Sequence, residues 1–355
     1  MNSVTELAMS FVDIASPSRS EGELARVVES LLSACDHLET IRIGDNVVAF
    51  TQLGRAERVI VAGHLHTVPL EHGPAEEKNG VISGLGIVDM KGTLAVMTHL
   101  AQTLTNPGRD ITWIFYAREE IARSESGLHE IAQHDASLLL GDVAILGEPT
   151  SGLVEAGCQG TLHAQITLGG KEAHSARPYM GVNAIHRASD ILQAIATAPV
   201  REVPIDGVIF SEQLQAVTIE GGRALNVVPG SVTIAVNHRF APDRSGEDAA
   251  RWLESILAPY LDPEHGDSIV ITESAPGALP NLTHPILGRL VELSGGEVSA
   301  KVGWTDVATF TERGVPAANF GAGDPHLANR SGECLTAGDL ESLAGVLQAM
   351  LNEGS

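Results

Sequence analysis

Apolar residues along this chain change their spacing near residue 160, and that change is the first structural signal. Before it, "VVAFTQL", "RVIVAGH", "ITWIFYA" and "DVAILGE" are short apolar runs of the kind found in strands buried on both faces. Residues 24–34 and "MKGTLAVMTHLAQTL" instead repeat their apolar positions at a helical period. Strands separated by helices predict an α/β domain with a parallel or mixed sheet covered on both faces.

From about residue 161 the pattern alternates. "TLHAQITLGG", "EQLQAVTIEGG", "SVTIAVNHRF" and "SIVITES" read as half-exposed strands, while 181–197 and "GEDAARWLESILAPYL" read as helices. Their order, β-α-β-β-α-β, is that of a ferredoxin-like split unit. The earlier pattern then resumes with a helix near 284–294, short strands at "VSAKVG" and "PAANFG", and a last helix over 337–352. The expectation is a discontinuous α/β domain (1–160 and 275–355) carrying an α+β insert at 161–274. Only Gly/Pro punctuation such as "SAPGALP" joins them.

Composition narrows the function. Length permits one large or two moderate domains, and 43% hydrophobic residues with 4% aromatics imply a mostly aliphatic core. Charge is lopsided, 22 Lys+Arg against 45 Asp+Glu for a net −23, which repels nucleic acid and anionic lipid. Cys35, Cys158 and Cys334 are odd in number and far apart, so neither a disulfide framework nor a thiolate zinc site is indicated. The N-terminus carries acids and a helical period rather than a basic start and an apolar core, and no run approaches membrane-spanning length. A soluble cytoplasmic protein is the expectation.

Against that background a few polar residues stand out. His64 follows the strand "VIVAG", Glu119 and Glu120 follow "TWIFYAR", and Glu148 follows "VAILG". Asp89 immediately precedes the helix "MKGTLAV". The carboxyl ends of strands form the edge of an open α/β sheet where ligands bind, so residues scattered in sequence can converge there. One histidine with several carboxylates and no cysteine suits a divalent ion in a hydrolytic site. Adjacent residues leaving a strand point in different directions, so one of the Glu119–Glu120 pair can bind metal while the other serves as general base. Any one such Glu, taken alone, is more often a helix start or a solvated charge.

Taken in order, "GHLHTVP", "GLGIVDMKG", "REE" and "GEPT" resemble the co-catalytic zinc metallopeptidases and deacylases, a family that includes desuccinylases, deacetylases and carboxypeptidases. The likeness spans nearly the whole chain. "EAGCQGTL", "AHSARP", "NHRFAPDRS", "GWTDVA" and "NFGAGDPHLAN" are most similar to its actinobacterial desuccinylases. The resemblance implies two zinc ions, with cobalt as a possible substitute: His64, Asp89 and Glu148 on one, bridging Asp89 and Glu120 on the other. It implies Glu119 as the base that takes a proton from water and later delivers it to the leaving amine. It further implies His174 at the oxyanion, with Arg177 and Arg239 as candidates to hold substrate carboxylates. The insert would be a lid and dimerisation domain, making a homodimer. The implied reaction removes an acyl group from an acylated amino acid, best matched to N-succinyl-LL-2,6-diaminopimelate in lysine and diaminopimelate biosynthesis. A related N-acyl-amino-acid deacylase and a catalytically impaired paralogue that binds acylated amino acids are the alternatives.

Two positions depart from the family pattern. The acid that orients the first histidine, two residues on, is replaced by His66. His66 reads either as a substitute in that orienting role or as an added ligand, since alternate residues of an extended segment share a side. The family's last ligand, a histidine four residues before a Glu, falls on Asn329 when counted back from Glu333. Either His326, three residues earlier, shifts in as the ligand or the second metal site is weakened.

Overall fold

The unbroken apolar runs of the first half become strands of a large mixed sheet. This computed structural model describes residues 3–119, 121 and 125–354. The chain divides into two compact units, one of Met1–Gly157, Pro280–Ser299 and Asp306–Ser355, the other of Cys158–Leu279 and Ala300–Thr305.

Among the described residues, the large sheet has eight strands in the order Glu39–Ile43, Asn46–Phe50, Asp110–Tyr116, Arg58–His64, Val143–Leu146, Ala317–Asn319, Val154–Ala156 and Val298–Ala300. Arg58–His64 runs parallel to both of its neighbours, and Ala317–Asn319 runs parallel to Val143–Leu146. Antiparallel pairs flank this parallel centre. Every residue of Asp110–Tyr116 is buried, as its near-continuous apolar run requires. The helix Gly92–Thr103 buries most of its circumference, so its pattern is less one-sided than that of Gly22–Ser33, which buries Leu24, Ala25, Val28 and Leu32. The closing helix Ala337–Asn352 starts in a capping box between Thr336 and Asp339, worth about 1 kcal/mol.

In the second unit, strands alternate as the period-two pattern demands. Ser231–Phe240 turns every second residue into the core, with Val232, Ile234, Val236, His238 and Phe240 buried. Its antiparallel sheet has the order Gln213–Gly221, Ser231–Phe240, Gly160–Gly169, Ser268–Ala275. The helices Ala184–Ala196 and Gly246–Leu257 pack on it through Ala188, Ile191, Leu253 and Leu257. Chain order and sheet order together make the ferredoxin-like split unit. A small hairpin, Glu202–Ile205 with Val208–Ser211, precedes the edge strand. Among the described residues, no helix is long and apolar enough to cross a membrane.

Candidate metal centre

Two of the strand exits carry the same dipeptide logic, a glycine followed by a ligand-type residue. Gly63 precedes His64 and Gly147 precedes Glu148. A Cβ on Gly63 would lie 2.8 Å from side-chain carbons of Leu94 and Met90, and one on Gly147 would lie 2.5 Å from Met90 and Thr93. The missing side chains let the turn that carries Asp89 settle directly onto the strand ends. That turn is also gripped from elsewhere in the first unit. Glu333, only 1% exposed, accepts hydrogen bonds from the backbone amides of Val88 (3.0 Å) and Asp89 (3.3 Å). Buried Lys91 donates to the Ile14 carbonyl at 2.6 Å.

The result is a tight cluster. His64, Asp89 and Glu148 are all buried, and a ligand atom from each lies within 4.8 Å of the others. His64 Nε2 sits 2.9 Å from Asp89 Oδ1. Glu119, half-buried, forms a second group with His64 and His66 at the same spacing. Burial by itself would push the His64 imidazole down, but the Asp89 hydrogen bond and the charges of Asp89, Glu148 and Glu119 outweigh it and lift it to about 10. A place that holds a proton so firmly is a place built for positive charge, and one imidazole with two carboxylates is a donor set for a divalent ion. The residues therefore fit a metal.

His66 is 1% exposed and stacks on His64, ring centroids 4.2 Å apart and planes inclined by 28°. Among the described residues, no hydrogen-bond partner meets His64 Nδ1. Pattern reading did not single out Tyr116, whose ring meets His64 edge-on at 6.4 Å. Burial, then the carboxylates of Asp306, Glu119 and Glu148, push its phenol well above the usual range, so it stays protonated. Its last position in a largely apolar strand is the signal the sequence offers. Nothing in the local pattern around Glu333 signals its hold on the Asp89 turn.

Glu120 falls outside the described residues. Among the described residues, His326 belongs to neither ligand group. Pro325 opens a single turn over Pro325–Leu327, capped by Asp324, and the same carboxylate holds His326 Nδ1 at 2.8 Å, leaving the side chain 90% exposed. Asn329 follows with a left-handed φ of 58°. In the second unit, exposed His174 pairs in the short strand Ala173–His174 and accepts from the Ala176 amide through Nδ1 at 3.1 Å. Arg177 is exposed beside it, and half-buried Arg239 stands near the end of Ser231–Phe240.

The profile of peptidase family M20/M25/M40 matches residues 60–353, which span the cluster and both units. The chain belongs to this family. M20 enzymes are metal-dependent hydrolases, in keeping with the donor set at the strand exits. A succinyl-diaminopimelate desuccinylase of Corynebacterium glutamicum is 40% identical over 354 residues, covering 98% of this chain and 95% of that protein. A Mycobacterium tuberculosis protein, provisionally given the same name, is 43% identical over 348 residues, covering 98% and 97%. Among solved structures, a Staphylococcus aureus tripeptidase superposes with a TM-score of 0.80 at 18% identity, covering 98% of this chain and 97% of its own. Aminopeptidase PepT of Bacillus cereus gives 0.79 at 19%, with the same coverage. The structural likenesses establish the M20 fold.

Proposed function

We propose that this M20 hydrolase removes the succinyl group from N-succinyl-LL-2,6-diaminopimelate, yielding succinate and LL-diaminopimelate in the cytoplasm. The observation that carries the reading is the convergence of buried His64, Asp89 and Glu148 in a chain 40% identical, end to end, to a desuccinylase. His64, Asp89 and Glu148 would hold one zinc ion, and Asp89 with Glu120 a second. When bound, such ions polarise the amide carbonyl and lower the pKa of water. The chain's own residues do the rest. Glu119 takes a proton from the attacking water and returns it to the departing amine as the C–N bond breaks. Glu333 and the glycines at 63 and 147 keep the Asp89 turn seated. Protonated Tyr116 contributes a neutral wall beside His64, without adding to the negative charge.

On the resemblance, His174 is assigned to the oxyanion, and Arg177 and Arg239 to substrate carboxylates. The second unit is assigned to dimerisation. Its edge strand Gln213–Gly221 leaves Val217 and Ile219 exposed, as a strand does before it pairs with a second copy. Purified protein with zinc is expected to release succinate from the named substrate, while Glu119→Ala does not. Equal release by the two proteins would reject the reading.

A second reading, an impaired paralogue that binds acylated amino acids, is favoured by Asn329 and by the exposure of His326. Metal content separates the two. Tightly held zinc that survives dialysis supports the enzyme, and its absence supports the binder.

A further inference from the structure

We propose that His66 is itself a metal ligand, completing a His64–His66–Glu119 group at the strand exits. The proposal rests on the metal-hydrolase reading and changes which residues hold the ion: within it Glu119 faces the ion as a ligand, in place of the base role given above.

Geometry argues against the alternative, in which His66 replaces an orienting acid. To orient His64, an acceptor must lie in the plane of its ring, along the Nδ1–H bond. His66 instead lies over the face of that ring at 4.2 Å, and among the described residues His64 Nδ1 has no hydrogen-bond partner. A stacked imidazole supplies no in-plane acceptor. The orienting role is not performed here by the residue that stands in its place.

The ligand role is performed by position. A donor atom from each of His64, His66 and Glu119 lies within 4.8 Å of the others, as close as in the His64–Asp89–Glu148 group. Donors about 2.0–2.2 Å from one ion sit roughly 3.4 Å apart in a tetrahedron, so either group closes on an ion by side-chain adjustments on the order of 1 Å. Two imidazoles and one carboxylate form the set that catalytic zinc sites use while keeping a fourth position open. Both histidines are anchored by a buried strand exit, where His64 is 3% and His66 1% exposed. The Pro325–Leu327 turn, by contrast, keeps its imidazole on Asp324 in solvent. The nitrogen missing from that loop is supplied from the strand.

The test is metal binding rather than turnover. Full-length protein is loaded with Co²⁺ and with Zn²⁺, and affinity, stoichiometry after dialysis and the Co²⁺ visible spectrum are measured. His66→Ala is expected to lose one bound ion, or to weaken binding by more than the roughly 10–100-fold that loss of an outer-shell partner costs, with a shifted Co²⁺ spectrum. His66→Asp, which restores an acid acceptor, is expected to leave the spectrum shifted. Should the alanine protein not fold by circular dichroism, His66→Gln replaces it with a side chain of similar reach. Unchanged stoichiometry, affinity and spectrum in these variants would overturn the proposal, as would tighter binding by His66→Asp than by the wild type. A wild-type protein that takes up no ion at all would overturn the hydrolase reading beneath it.

Discussion

The two ends of the central strands treat charge in opposite ways. At the amino-terminal end, Asp110 accepts from Thr51 Oγ1 and the Leu53 amide at 2.8 Å each and from the Arg55 amide at 2.9 Å, with Arg58 3.8 Å away. Beside it, Asp142 accepts the Arg58 amide at 2.7 Å, and Glu57 pairs with Arg109 at 2.8 Å. At the carboxyl end, Asp89, Glu148 and Glu119 crowd one imidazole and push it to about 10. One edge is a set of carboxylates closed by protein donors. The other concentrates negative charge around one imidazole, a donor set suited to an external cation. Burial alone therefore does not mark a functional acid; the identity of what faces it does.

Substitutions at the two edges should separate cleanly. The largest effect is expected from Glu119→Gln, a drop in kcat of about 10²–10⁴ with thermal unfolding unmoved, measured by succinate release and calorimetry. A parallel loss of stability would mean that Glu119 belongs with the structural edge. Next, Asp110→Ala should cost about 2 kcal/mol in urea denaturation, because it strips partners from the buried Thr51 hydroxyl and from the part-buried amides of Leu53 and Arg55, and should leave metal affinity intact. Burial opposes ionisation of Asp110, but hydrogen bonds from Leu53, Thr51 and Arg55 and the charge of Arg58 hold its pKa below the ordinary 3.8. A depressed folded-state pKa gives stability that is present above the unfolded value and is lost as pH falls through the folded one. The gap between wild type and variant should thus be full at neutral pH and shrink in strong acid.

Glu333→Ala loosens the Asp89 turn without removing a candidate ligand. Metal affinity by calorimetry should fall about 10–100-fold, with most of it recovered in Glu333→Gln, whose amide oxygen still accepts. An unaltered affinity would show that the turn is held well enough by Lys91 and by its seat on Gly63 and Gly147. The smallest effect belongs to His326→Ala, for which metal affinity should stay within about twofold, as for an exposed side chain. A large loss there would return the loop to the site.

Much of this was legible in the residue pattern. The switch from continuous apolar runs to strict alternation near 160 announced two kinds of sheet, and the observed strands and helices follow it. That His64, Asp89 and Glu148 stand at strand exits and a helix entrance was legible from periodicity, and the structure brings the three together. The hairpin before the edge strand escaped notice, since "REVPIDGVIFS" is broken by a proline and a glycine. The exposure of His326 was not legible, because it is set by a local Asp324–Pro325 turn rather than by distance along the chain from Glu333.

What the sequence determined by itself was which backbone segments are strands and helices and which chemical groups stand where they end. Those facts are local, carried by side-chain alternation and by turn residues. Tertiary structure decided the rest: the stacking of His66 on His64, and the hold of Glu333 on an amide 244 positions away. Both depend on how segments pack, and a ring's tilt or a long-range hydrogen bond leaves no periodic trace in the chain.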